Sequence, residues 1–134
     1  MPEFGMKSQA KLIYNNTYEH TFMLNGGLTT AKKYFFSALS DETRLSILYA
    51  LKENGGMCVN DICTATGKDQ SLISHHMACL RNCGLVNTEK NGKFVVYSIK
   101  NELISKILDL SDRHVREMLE GILSCEVVNS KKGI

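Results

Sequence analysis

Two adjacent histidines, His75 and His76, precede a pair of cysteines, Cys79 and Cys83, in the stretch DQSLISHHMACLRNCGLV over residues 69–86. Imidazole and thiolate are ligands for zinc and for softer ions, so metal binding is the first chemistry this cluster raises. The alternative is a helix that reads DNA and uses these residues for packing. On a helix, neighbouring histidines point about 100° apart and do not easily share one ion. Cys79 and Cys83 stand at i and i+4, where two thiols could face a common ion or form a pair. They also flank the arc of Leu72 and Leu80, which assigns them to packing as small buried thiols. Leu72, Ile73, His76, Met77, Leu80 and Cys83 fall on one arc of that helix, and Gln70, Ser71, Ser74, Ala78, Arg81 and Asn82 spread over the other. His76 therefore reads as a core histidine, and His75 as a residue on the border of the outer face. The outer face suits a major groove. Gln70, Ser71, Ser74 and His75 can hydrogen-bond base edges or phosphates, Ala78 allows close approach, and Arg81 can hold a phosphate.

The rest of the chain must position this helix. Its 134 residues suffice for one domain with a core, and 43% hydrophobic and 22% charged residues are ordinary for a globular protein. A net charge of +2 leaves nucleic-acid binding to a local patch rather than to the global balance. The five cysteines are an odd number and no export signal is recognisable, which reads as reduced thiols in the cytoplasm. No apolar run approaches a membrane span. Residues 1–5, MPEFG, read as a tag ahead of Met6. The sequence has no Gly-rich phosphate loop, HExxH, nucleophile elbow or CxxC, which argues against an enzyme.

Along the chain, 1–28 reads as the tag and a mobile arm, and 29–39 as a short helix. A second helix follows, with Ser40 as its cap, Leu45, Leu48 and Leu51 on one face, and Gly55-Gly56 at its end. VNDICTAT is a third helix stopped by Gly67, and Asp69 caps the helix described above. Two β-prone runs flank Asn91-Gly92, with Lys90 and Lys93 beside the turn. Residues 101–125 form one long amphipathic helix whose stripe runs through Ile104, Ile107, Leu108, Ser111, Val115, Met118, Leu119 and Ile122. A stripe of that length calls for a partner surface. Residues 126–134 are a tail. The order is a mainly α fold with a small β-hairpin wing, a winged helix-turn-helix occupying 29–125. The bases and backbone of double-stranded DNA would meet Gln70, Ser71, Ser74, His75, Arg81, Lys90, Asn91 and Lys93.

The segments LSDETRLSILYAL, MCVNDICTATGKDQSLISHHMACLRNCGLV and EKNGKFVVYSI resemble the ArsR/SmtB family of metal-responsive repressors over about residues 30–120. The resemblance implies a homodimer joined through its first and last helices, which binds a palindromic operator and is loosened from it by an inducer. No obligatory cofactor is implied. The inducer would be a thiophilic metal or metalloid such as As(III), Cd(II) or Pb(II), or alternatively an oxidant or persulfide acting on a cysteine pair. Arsenite-sensing members carry Cys-Val-Cys-Asp-Leu-Cys where this chain has Cys58-Val59-Asn60-Asp61-Ile62-Cys63. The resemblance thus makes Cys58 and Cys63 thiolate candidates, with Asn60 replacing the middle cysteine. Cys125 is a third candidate, because some members complete a thiolate site near the C-terminus. The arm has no cysteine, which leaves His20 or Glu19 as substitutes there. Of the family's last-helix zinc site, His114 and Glu117 remain, while Asn101 and Leu103 stand at the other two positions.

Overall fold

The computed structural model describes residues 26–127. The tag, the arm to residue 25 (His20 and Glu19 included) and the tail from 128 lie outside the described residues. The chain divides into two compact units, Met1–Glu42 and Thr43–Ile134. The first unit contains helix α1, Gly27–Leu39, which starts after Gly26 and closes with the Ser40 N–H donating to the Ser37 carbonyl at 3.0 Å. Ser40 therefore ends α1 instead of capping the next helix, which starts at Glu42.

Next come α2 (Glu42–Asn54), α3 (Val59–Thr66) and α4 (Gln70–Asn82). The strands β1 (Val86–Asn91) and β2 (Phe94–Ile99) follow, then α5 (Glu102–Glu117) and the one-turn α6 (Leu119–Leu123). The core of the second unit is aliphatic: Ile47, Leu48 and Leu51 of α2, Ile62 of α3, Ile73, Met77 and Leu80 of α4, then Leu85 and Leu108 are almost wholly buried. Removing each such side chain from water is worth roughly 1.5–3 kcal/mol. Asp69 caps α4 as expected, its Oδ1 accepting from the Leu72 N–H at 2.8 Å. The helix ends in a Schellman arrangement, with the Leu85 N–H on the Leu80 carbonyl (2.9 Å) and the Gly84 N–H on the Arg81 carbonyl (3.1 Å). Leu80 and Leu85, both buried, are the apolar pair that accompanies this motif.

The wing is an antiparallel hairpin with Val86 opposite Ile99 and Asn91 opposite Phe94. Its two-residue loop is therefore Gly92-Lys93, one step later than the Asn91-Gly92 turn expected. Gly92 has φ 66° and Lys93 does not share a positive φ, which fits a type II′ turn with glycine first. Met57 joins the wing through one isolated bridge, its N–H and carbonyl pairing with Tyr97 at 2.9 and 2.8 Å.

The expected single helix over 101–125 is broken. Met118, at φ −109° and ψ 18°, ends α5 and precedes α6. Asn101 caps α5, accepting from the Ile104 N–H at 3.2 Å. Tyr49 of α2 donates to the Leu108 carbonyl at 3.0 Å, and Lys52 pairs with Asp109 at 2.7 Å, so α5 is tied to α2 beside its buried Ile104 and Leu108. Much of the remaining apolar surface of α5 and α6 is exposed within one chain: Val115, Met118 and Leu119 of the stripe and Leu103 and Leu110 beside it are exposed, while Ile107 and Ile122 are half-buried. Among the described residues, no helix is long and apolar enough to cross a membrane.

Candidate functional site

The capped start of α4 and its buried face fix which side chains the helix offers outward. Ile73, His76, Met77 and Leu80 are buried, while Gln70, Ser71, Ser74, His75 and Arg81 are exposed, in agreement with the spacing argument. Leu72, expected on the inner arc, is 38% exposed. Lys90 and Asn91 at the end of β1 and Lys93 in the turn are exposed as well. A short helix, a tight turn, an outward-facing helix and a hairpin wing thus come in the order of a winged helix-turn-helix, with polar and basic side chains on the reading elements.

A cleft of about 270 Å³ joins these elements, lined by Cys58, Val59, Asn60, Gln70, Lys93, Phe94, Val95 and Tyr97. Cys58 is the residue preceding α3, in extended conformation. Its N–H and its thiol both donate to Asp61 Oδ2, at 3.2 and 3.3 Å. Cys63 lies within α3 and Cys125 just beyond α6, both half-buried. Among the described residues no three His, Cys, Asp or Glu side chains are grouped to hold a metal ion. Cys58, Cys63 and Cys125 therefore do not assemble into a ligand set within one chain. His114 and Glu117 are both exposed on α5; Asn101, at the matching family position, is occupied as that helix's cap.

Cys79 and Cys83 stand on successive turns at the end of α4, where the Cys83 N–H donates to the Cys79 carbonyl at 3.0 Å. The Cys83 thiol is raised above the ordinary thiol range, first by partial burial of the sulfur in a residue exposed overall. The neighbouring Cys79 thiol adds to the rise, and the Arg44 guanidinium opposes it. Arg44 also bonds the buried His76, its Nη1 lying 3.3 Å from Nδ1. The guanidinium has only protons to offer, so Nδ1 is the acceptor and the ring proton belongs on Nε2. His76 is a partnered core histidine as expected. The rings of His75 and His76 lie 5.9 Å apart between centroids at 61°, with only His75 exposed, so the two do not act as a chelate. The signal for the cysteine pair was its i, i+4 spacing. Placing both thiols on the core arc hid it, because α4 stops at Asn82 and Cys83 is a cap residue.

These features define a winged helix-turn-helix protein. The bacterial regulatory protein, arsR family, profile matches residues 41–88. The arsenical resistance operon repressor of Escherichia coli K12 is 41% identical over 91 residues, 66% of this chain and 78% of that one. A cadmium resistance transcriptional regulatory protein CadC homolog of Staphylococcus aureus is 36% identical over 83 residues, 62% and 69% of the two chains. Among solved structures, the homodimeric winged helix-turn-helix DNA-binding domain of a possible ArsR-family regulator from Mycobacterium bovis superposes with a TM-score of 0.67 at 29% identity. That match covers 72% of this chain and 89% of the other. The chain belongs to the ArsR family of bacterial regulatory proteins. The family and these relatives are transcriptional regulators, not enzymes.

Proposed function

We propose that this protein is a homodimeric repressor that binds double-stranded operator DNA and leaves it when a thiophilic ion occupies the Cys79–Cys83 pair. The face of Gln70, Ser71, Ser74 and His75, with Arg81 and the wing residues Lys90, Asn91 and Lys93, supports the DNA half of this reading. The exposed apolar residues of α5 and α6 support the dimer. The observation that carries the sensing half is the placement of two thiols one turn apart at the end of α4, with the Cys83 N–H on the Cys79 carbonyl.

Cβ atoms at i and i+4 stand about 5–6 Å apart, whereas a disulfide needs about 3.5–4.5 Å. One tetrahedral ion with bonds of about 2.3 Å holds two sulfurs about 3.8 Å apart. An ion bridges this pair with less distortion than an S–S bond, which favours As(III), Cd(II) or Pb(II) over oxidation as the signal. One chain supplies two thiolates, so any third comes from elsewhere, and Cys125 of the partner subunit is the residue to test. Cys58, with its thiol engaged by Asp61, and Cys63 form the rival set. An ion drawn to the end of α4 favours a dimer whose recognition helices no longer match half-sites one helical turn apart.

The test has two parts. The reduced protein should bind an operator duplex with an affinity that falls steeply with salt. Anaerobic titration with Cd(II) and arsenite should then give a thiolate-to-metal ultraviolet band, lost in Cys79→Ser and Cys83→Ser and retained in Cys58→Ser. A band lost only in Cys58→Ser or Cys63→Ser would return the site to α3.

A further inference from the structure

The cleft between recognition helix and wing is lined by three side chains that offer N–H donors, by the Cys58 thiol, and by an apolar and aromatic wall that carries the Tyr97 hydroxyl. Asn60 from α3, Gln70 from the first position of α4 and Lys93 from the wing turn all present N–H donors, and no carboxylate is among the lining residues. The nearest acid in sequence, Asp61, is already engaged by the Cys58 N–H and thiol. The remaining walls, Val59, Phe94, Val95 and Tyr97, are apolar or aromatic. Phe94 is 51% exposed and Val95 42%, so this wall faces the opening. Donors with a cation above an apolar wall match a sugar-phosphate unit: non-bridging oxygens need donors, and the deoxyribose needs an apolar surface. The frame is fixed, because Met57 next to Cys58 is bonded by two backbone hydrogen bonds to Tyr97 of the wing.

We propose that this cleft seats one backbone phosphate of the operator, held by Asn60, Gln70 and Lys93, with its sugar against Phe94. This rests on the operator-binding reading and deepens it. Asn60 becomes a DNA contact that the sequence did not single out. Gln70 becomes a residue that positions the helix, while Ser71, Ser74 and His75 are left to meet base edges. Backbone contacts set register and affinity without reading sequence.

The experiment compares Asn60→Ala, Gln70→Ala and Lys93→Ala on an operator duplex and on a scrambled duplex of equal length, by fluorescence anisotropy. A neutral methylphosphonate is then placed at each backbone position in turn. All three residues are exposed, and unchanged urea midpoints confirm that the variants fold. Each variant should weaken both duplexes by the same factor, roughly three- to tenfold for one hydrogen-bonding partner. Lys93→Ala should also lower the salt slope by about one. All three should become insensitive to one and the same methylphosphonate. Loss of operator binding with the scrambled duplex spared in Gln70→Ala would make Gln70 a base reader and overturn the seat. Variants that respond to different phosphates, or to none, would overturn it too. Wild-type protein that binds neither duplex at low salt would instead remove the operator reading on which the seat depends.

Discussion

Gly56 is where the fold leaves no room for a side chain. A Cβ built there would lie 2.7 Å from Val96 Cγ1 and 3.8 Å from the Tyr97 carbonyl oxygen. Gly56 has no positive φ, so alanine meets no backbone strain and its cost is steric alone. Val96 cannot simply swing aside, because a β-branched side chain is stiff at χ1 and its strand is paired to β1 opposite Glu89. The loop cannot retreat freely either, since the next residue, Met57, is bonded to Tyr97. Overpacking of this kind costs about 1–3 kcal/mol. For a urea slope near 1.5 kcal/mol/M, Gly56→Ala should lower the unfolding midpoint by roughly 0.7–2 M, read at one fixed protein concentration. The operator affinity should fall as well, because relief of the clash moves the wing that carries Lys93. The control is Val96→Ala: in that background Gly56→Ala should cost much less, with a coupling of about 0.5–3 kcal/mol. A Gly56→Ala protein as stable as wild type, or one equally destabilised with and without Val96, would refute the reasoning.

Other consequences follow from single features. Asp69→Ala removes the acceptor of the Leu72 N–H and should cost about 1 kcal/mol in chemical denaturation, with fraying at the start of α4 that weakens operator binding. Leu110, 60% exposed on α5, should lie in the dimer face. Leu110→Asp should sediment as a monomer, with operator affinity falling along with it; a dimer of unchanged stability would place the partner surface elsewhere. Arg44→Ala removes the donor to His76 Nδ1, a change worth about 0.5–1.5 kcal/mol in urea unfolding.

Much of this fold could be read from local chemistry. Asp69, Gly67 and the Gly55-Gly56 pair marked helix ends because caps and breakers act through their immediate backbone. Apart from Leu72, the outward face of α4 followed from 3.6-residue periodicity. The errors share a physical origin in tertiary context. Met118 is neither glycine nor proline, so nothing local announced the break between α5 and α6. The Asn-Gly pair marked the hairpin, but strand register put Asn91 in the ladder and Gly92 first in the turn. The periodic stripe from Ile104 to Ile122 was visible, yet only Ile104 and Leu108 are buried in one chain, because α2 covers just part of α5. Cys58 and Cys63 were legible only through the resemblance, and the hydrogen bond from the Cys58 thiol to Asp61 Oδ2 is visible only in the structure. The exposure of Cys83 was hidden as well, because α4 ends at Asn82 and Cys83 is its cap rather than part of the packed arc.

The central claim is that thiols on the recognition helix govern DNA binding. The direct measurement is the anisotropy of a labelled operator bound by the reduced dimer during anaerobic Cd(II) titration, run in parallel on wild type, Cys79→Ser and Cys58→Ser. The account predicts release of DNA from wild type and Cys58→Ser, and retention by Cys79→Ser at the same ion concentration. Release that persists in Cys79→Ser and disappears in Cys58→Ser would contradict it.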